Sequence, residues 1–142
     1  MPPFDSPISQ VLNDYKAAVL AKDVDAFVAL YDPDVRVFDM WGEWAYSGLV
    51  AWRAMAAGWF GSLGTERVVV DFSDVQATVT KELAVAHAFV RYAAITSDDV
   101  ELRALNNRLT ITLVRRDGTW KIVHEHSSSP IDAETMKAIL NR

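Results

Sequence analysis

The chain has 142 residues, 51% of them apolar, with 14 Lys+Arg against 19 Asp+Glu for a net charge of −5, and it contains no cysteine. That length suits one domain with its own core rather than two, and the balance of apolar and charged residues excludes a disordered polypeptide. Disulfide scaffolds, thiolate zinc sites, iron–sulfur clusters and thiol nucleophiles are excluded, no Lys/Arg run offers a track for nucleic-acid phosphates, and no window of about 18 apolar residues spans a bilayer.

The start, Met1-Pro2-Pro3-Phe4-Asp5-Ser6, lacks the basic and apolar regions of a secretory signal, so the expectation is a cytoplasmic protein. Ser6-Pro7 reads as a helix start, a hydroxyl cap before proline at the first helical position. Ile8, Val11, Leu12, Tyr15 and Val19 follow at helical spacing to about Leu20. Asp23 caps a second short helix with Val24, Phe27, Val28 and Tyr31 on its buried stripe, ended by Asp32-Pro33-Asp34. Residues 35–39 alternate as a strand, 40–42 turn, and 43–47 form a short return strand. Gly48 opens a third helix carrying Leu49, Trp52, Ala56, Trp59, Phe60 and Leu63, with Gly61 and Gly64 bracketing its end. The period then changes to two, predicting strands over 65–80, 83–96, 101–116 and 119–129, with Asp117-Gly118 as a hairpin turn. Asp132 caps a last short helix bearing Met136, Ile139 and Leu140. No repeat or linker divides residues 1–142, which read as a single α+β domain.

Val11-Leu12-Asn13-Asp14-Tyr15, residues 23–31, Asp34-Val35-Arg36-Val37-Phe38-Asp39 and Gly48 resemble the opening of the ketosteroid isomerase/nuclear transport factor 2-like superfamily. Arg108-Leu109-Thr110 and the run from Arg116 to Ser128 resemble its polyketide-cyclase-like (SnoaL-like) and kinase-association-domain branch. The resemblance implies a cone, a curved antiparallel sheet wrapped around three amino-terminal helices with a pocket at its open end. It also implies a homodimer through the outer sheet face. Members include isomerases, cyclases, dehydratases and proteins without chemistry, so the fold is better specified than the activity.

By that resemblance Tyr15 and Asp39 fall where the isomerase has its oxyanion-hole tyrosine and its aspartate base, which faces a donor pair of tyrosine and protonated aspartic acid. On the residues alone, Asp39 ends a strand beside Trp41 and reads as pocket-facing, with a turn aspartate bonding its own backbone as the alternative, and Tyr15 reads at least as well as a core tyrosine. The isomerase's second donor has no counterpart, since no acid lies between Glu101 and Asp117 and the aligned place falls at Thr112 or a neighbour. A two-residue turn at Asp117-Gly118 sets 116 opposite 119, 113 opposite 122, 111 opposite 124 and 109 opposite 126. Leu109, Ile111, Leu113, Trp120, Ile122, His124 and His126 then share the apolar inner face, with Arg108 outside. The resemblance suggests instead a pocket arginine, and a single bulge would exchange the faces.

Two histidines at i, i+2 bind a metal if Asp39 or His87 joins them, but no recognised metal spacing is present and no metal or cofactor is assigned. Trp41, Trp52, Trp59 and Trp120 either wall a ring-accepting pocket or pack the third helix on the sheet. These readings lead to a small-molecule enzyme without cofactor, acting by proton transfer on a ring-bearing carbonyl substrate. Asp39 or His126 would be its base, and Tyr15 with Arg108 or His124 would stabilise the oxyanion. The alternative is a non-catalytic ligand-binding or oligomerisation module.

Overall fold

The computed structural model describes residues 6–142, so the reading of the amino-terminal start, residues 1–5, lies outside the described residues. Helix α1 (Pro7–Ala21) begins as its sequence dictates: Ser6 Oγ accepts from the Ile8 N–H at 3.1 Å, and Pro7 occupies the first turn. It ends at Lys22, which takes a left-handed conformation (φ 54°) and donates its N–H to the Val19 carbonyl. The Lys22 ammonium then reaches the carbonyls of Gly64 and Glu66 at 2.8 and 2.9 Å, tying this corner to the loop after the third helix. Asp23 caps α2 (Val24–Val28) through the Ala26 N–H at 3.0 Å.

Strands β1 (Tyr31–Phe38) and β2 (Tyr46–Ser47) precede α3 (Leu49–Ser62). Four longer strands follow: β3 (Arg67–Val79), β4 (Leu83–Ile95), β5 (Glu101–Arg116) and β6 (Thr119–Ser128). They form one open sheet in the order β2-β1-β6-β5-β4-β3. The last four strands are the expected antiparallel meander, but the sheet is mixed because β1 runs parallel to β6. Tyr31, expected on the α2 stripe, opens β1 instead. Its phenol donates to Glu125 Oε1 on β6 at 2.7 Å. Pro33, which has no N–H to offer a ladder, sits within the irregular stretch of β1 between Tyr31 and Arg36.

The expected carboxy-terminal helix does not form. Asp132 does cap a turn, accepting from the N–H groups of Glu134 and Thr135, but Met136 turns left-handed (φ 61°) and the chain doubles back. Ile131 bridges Ala138, and the Leu140 carbonyl accepts from both the backbone and side-chain N–H of Asn106 on β5. So short a helix is marginal by itself, and the exposed backbone of β5 beyond the end of β6 offers these residues better partners.

All three helices lie on one face of the sheet, and Phe27 is the hub between the layers. Its ring is fully buried and meets Tyr15, Tyr31, Phe60, Trp52 and Trp59 at centroid distances of 5.3–6.4 Å. Among the described residues, no helix covers the outer face of the sheet. Replacing Phe27 by Ala removes this hub and should cost about 3–5 kcal/mol in urea unfolding, against less than ~0.5 kcal/mol for Val50→Ala on the exposed side of α3. Equal effects of the two substitutions would contradict the assignment of the core.

Candidate functional site

The β5–β6 hairpin decides which side chains face the helices. Asp117 and Gly118 both have positive φ (52° and 77°), as a tight two-residue turn requires. Pairing runs as expected from Arg116↔Thr119 to Leu113↔Ile122, then shifts: Thr112 pairs His124, leaving Val123 as an extra residue. Beyond this bulge Leu109 faces Ser127 and Ile111 faces Glu125. Glu125 and Ser127 are therefore buried under the helices, while His124 and His126 turn to the outer face beside Thr112 and Thr110. This reverses the inward placement expected for the two histidines, and its cause is the one-residue shift. Arg108 is exposed on the outer face and donates to Ser128 Oγ at 3.2 Å, so it does not reach the pocket the resemblance implied.

Between the helices and the sheet lies a cavity of about 620 Å³. Trp41, Trp52 and Trp59 are on its wall, Trp41 at the exposed rim. Trp120 lies elsewhere, half-buried in a groove against α1 and α2. Polar groups gather on the sheet side. Tyr15 and Tyr92 share a hydrogen bond between their hydroxyls at 2.9 Å. Ser127 Oγ donates to Asp39 Oδ1 at 3.1 Å and accepts from the Met40 N–H at 3.1 Å, which directs its one proton at the carboxylate. Asn107 donates through Nδ2 to the Met40 sulfur at 3.2 Å.

Burial moves the ionisation of every acid here. The Asp39 carboxyl is raised by desolvation, opposed by Ser127 and the backbone N–H groups of Met40 and Trp41. Glu125 is pushed up to about 7, chiefly by desolvation and secondarily by the charge of Asp39, while the Tyr31 hydrogen bond pulls the other way. Tyr15, Tyr31 and Tyr92 are all raised, again first by burial, so their phenols remain proton donors at neutral pH. The Trp52 indole N–H partly opposes the rise at Tyr31 but reaches no hydrogen-bonding geometry with any partner.

Of the residues singled out in the sequence, Tyr15, Asp39, Trp41, Trp52 and Trp59 share this cavity. His124, His126, Arg108 and Trp120 do not. Phe38 lies edge-on to both histidine rings, at 5.0 and 5.5 Å, and no group of three metal-ligating His, Asp or Glu exists among the described residues. Glu125, Ser127, Tyr92 and Asn107 were missed. Tyr92 and Asn107 had a signal: each continues the alternation of an apolar face, Ala86-Ala88-Val90 on β4 and Leu109-Ile111 on β5. Glu125 and Ser127 had none, because nothing in residues 119–128 marks Val123 as the bulge.

A family model, the SnoaL-like domain, matches residues 8–132. No curated protein matches. Among solved structures, a nuclear transport factor 2-like protein of unknown function from Pseudomonas putida KT2440 is 29% identical, with 95% of this chain and 92% of that one covered and a TM-score of 0.83. A Xanthomonas campestris structure assigned to the calcium/calmodulin-dependent protein kinase II association domains is 16% identical, with 89% of each chain covered and a TM-score of 0.74. A nuclear transport factor 2-like superfamily protein from Salmonella enterica serovar Typhimurium LT2 is 17% identical, covering 93% and 94%, with a TM-score of 0.70. At under 25% identity the last two speak to the fold alone. With the helices, the meander and most of the chain all accounted for by one model, the protein belongs to the SnoaL-like family of the nuclear transport factor 2-like superfamily.

Proposed function

We propose that this protein is a cofactor-independent proton-transfer enzyme acting on a ring-bearing carbonyl compound, of the isomerase, cyclase or dehydratase type. The observation that carries the reading is the pairing of two proton-loving carboxyls, Asp39 and Glu125, with a pair of buried phenols on the wall of one apolar cavity. Asp39 is the base. Ser127 and two backbone N–H groups favour its ionised form against the larger effect of burial, and its raised affinity for protons improves it as an acceptor from carbon. It takes the proton next to the substrate carbonyl, and the electron pair moves onto the carbonyl oxygen.

That oxygen is met by the phenol pair. Two hydroxyls bonded to each other use one proton between them and leave one free to donate. In a dry cavity such a donor typically contributes about 3 kcal/mol to the transition state. Glu125 supplies the protonatable acid that β5 lacks. With half-ionisation near pH 7 it can give or accept a proton, and Tyr31 fixes its Oε1. Return of the proton to another carbon, from Asp39 or Glu125, completes an isomerisation. Trp41 and Trp59 offer flat apolar surfaces for the ring. The uncovered outer face, with Val85 and Leu83 exposed on it, supports a homodimer through that face.

Asp39→Asn keeps the hydrogen bond from Ser127 and removes the base. The expected result is a fall of roughly 10²–10⁴ in deuterium exchange at the α-carbon of 1-tetralone, followed by NMR, with binding retained. Exchange unchanged in this variant would remove Asp39 as base, and no exchange by the wild type across ring ketones that it binds would leave a non-catalytic binding module.

Glu125 makes a second prediction through linkage. Its folded value, about 7, lies above its ordinary 4.5, so between these pH values the folded state holds more protons than the unfolded state. Stability is therefore greatest below about pH 4.5 on this group's account, and falls by roughly 3 kcal/mol as pH rises to about 7. Glu125→Gln should flatten this slope and be at least as stable as the wild type at about pH 8 in urea titrations. A slope unchanged in the variant would place its origin elsewhere. For the dimer, Thr110→Arg at the centre of the outer face should halve the mass measured by sedimentation equilibrium, and an unaltered dimer mass would move the interface off this face.

A further inference from the structure

Asn107 is a buried polar side chain on the cavity wall that the proton-transfer scheme does not use. Its Nδ2 spends a proton on the Met40 thioether, a weak acceptor, and its Oδ1 has no partner at all. A buried amide oxygen without a hydrogen bond is destabilising, a cost that a side chain serving only to pack would not carry. Leu occupies the neighbouring inward positions 105 and 109, so an apolar residue fits this strand readily. The torsion that aims the amide is broad; the Met40 sulfur holds it, and its N–H side also favours the neighbouring Tyr92 phenol oxygen, while neither contact engages Oδ1.

The rest of the wall narrows what would satisfy this oxygen. Asp39 and Glu125 already place two acids here, so a carboxylate on the ligand meets like charge. The one cation on the wall, Arg103, is engaged by Glu66 at 2.6 Å and is largely exposed. Trp52 adds an unpartnered N–H, a donor that welcomes a neutral acceptor. Resting on the proton-transfer reading of this cavity, we propose that Asn107 is its specificity-determining residue: it selects neutral ring ketones that also carry a hydroxyl donor, and Oδ1 accepts from that hydroxyl.

The test compares 1-tetralone with its 5-, 6- and 7-hydroxy derivatives and its 6-carboxy derivative, by calorimetric titration of the full chain. At least one hydroxy isomer should bind the wild type about tenfold or more tightly than the parent, since a site built around a ligand hydroxyl discriminates against its absence. The 6-carboxy compound should bind more weakly than the parent. In Asn107→Leu the hydroxyl advantage should shrink below about threefold, the buried acceptor being gone. Asn107→Gln, which keeps an amide, should recover part of it. Equal binding of all hydroxy isomers and the parent by the wild type would overturn the proposal, needing no variant to fold. So would an advantage that persists in Asn107→Leu, or tighter binding of the acid. Deuterium exchange read on the same samples separates the two ideas: preserved hydroxyl selectivity without exchange would defeat the proton-transfer scheme and leave the role of Asn107 standing.

Discussion

One extra residue in β6 governs the site. Had the β5–β6 hairpin kept its initial register, the inward face would have carried two imidazoles, and Glu125 would have been an exposed acid between them. The shift at Val123 exchanges these positions. The chemistry of the cavity changes with it, from a pair of nitrogen bases to a buried carboxyl whose proton comes off near neutrality. Since the side-chain period of a strand is two, no intermediate outcome exists. The bulge also brings Ser127 inward, opposite Leu109, where its hydroxyl links the backbone of Met40 to Asp39. Both carboxyls of the site thus depend on the same irregularity.

Burying these groups works against folding. A carboxyl taken out of water favours its neutral form, and each phenol needs a partner. The chain answers with pairs rather than one extended network: Tyr31 with Glu125, Tyr15 with Tyr92, Ser127 with Asp39. Phe27, packed against Tyr15 and Tyr31, holds two of these pairs in place by ring contact. The aromatic content of the sequence therefore serves both candidate roles at once. Trp52 packs α3 against the rest of the core and also faces the cavity, whereas Trp120 does neither and lines a separate groove along α1.

How much of this the sequence disclosed follows from the range of the forces involved. Local signals were readable: the Ser6-Pro7 and Asp23 caps, the left-handed turn at Asp117-Gly118 and the period-two strands all lie within a few residues of what they determine. Asp39 and Tyr15 were also legible, one at the end of an alternating strand and the other on a helical stripe, and they share the cavity. The failures are long-range. The carboxy-terminal segment has a good helix cap, but after one turn it folds back on itself through backbone bonds of Asp132 with Lys137 and of Pro130 with Ile139, and its end is tied by Leu140 to Asn106, more than thirty positions earlier in the chain. Tyr31 fits a helix stripe by spacing, and a partner on β6 draws it into the sheet. Val123 is ordinary strand sequence, and only the demand of the inner face for Glu125 and Ser127 distinguishes it.

Asn106 and Asn107 show how the fold reconciles a fixed wall with an adaptable contact. Successive strand residues point to opposite faces, so two like side chains in sequence take opposite tasks. Asn106 is clamped: its N–H and side-chain amide bond the Leu140 carbonyl, its own carbonyl accepts from Ser129 Oγ, and Arg142 of the same terminal segment lies over Phe89 at 3.6 Å. Leu140 completes the cavity wall from that segment. The backbone under Asn107 is thereby held from outside while its amide faces inward, its N–H side on the Met40 sulfur and beside the Tyr92 phenol and its oxygen unpartnered. A side chain so mounted can change hydrogen-bond partners without moving the sheet. Discrimination between ligands then arises from the orphaned oxygen alone, and the geometry of Asp39 and the phenols need not shift to provide it.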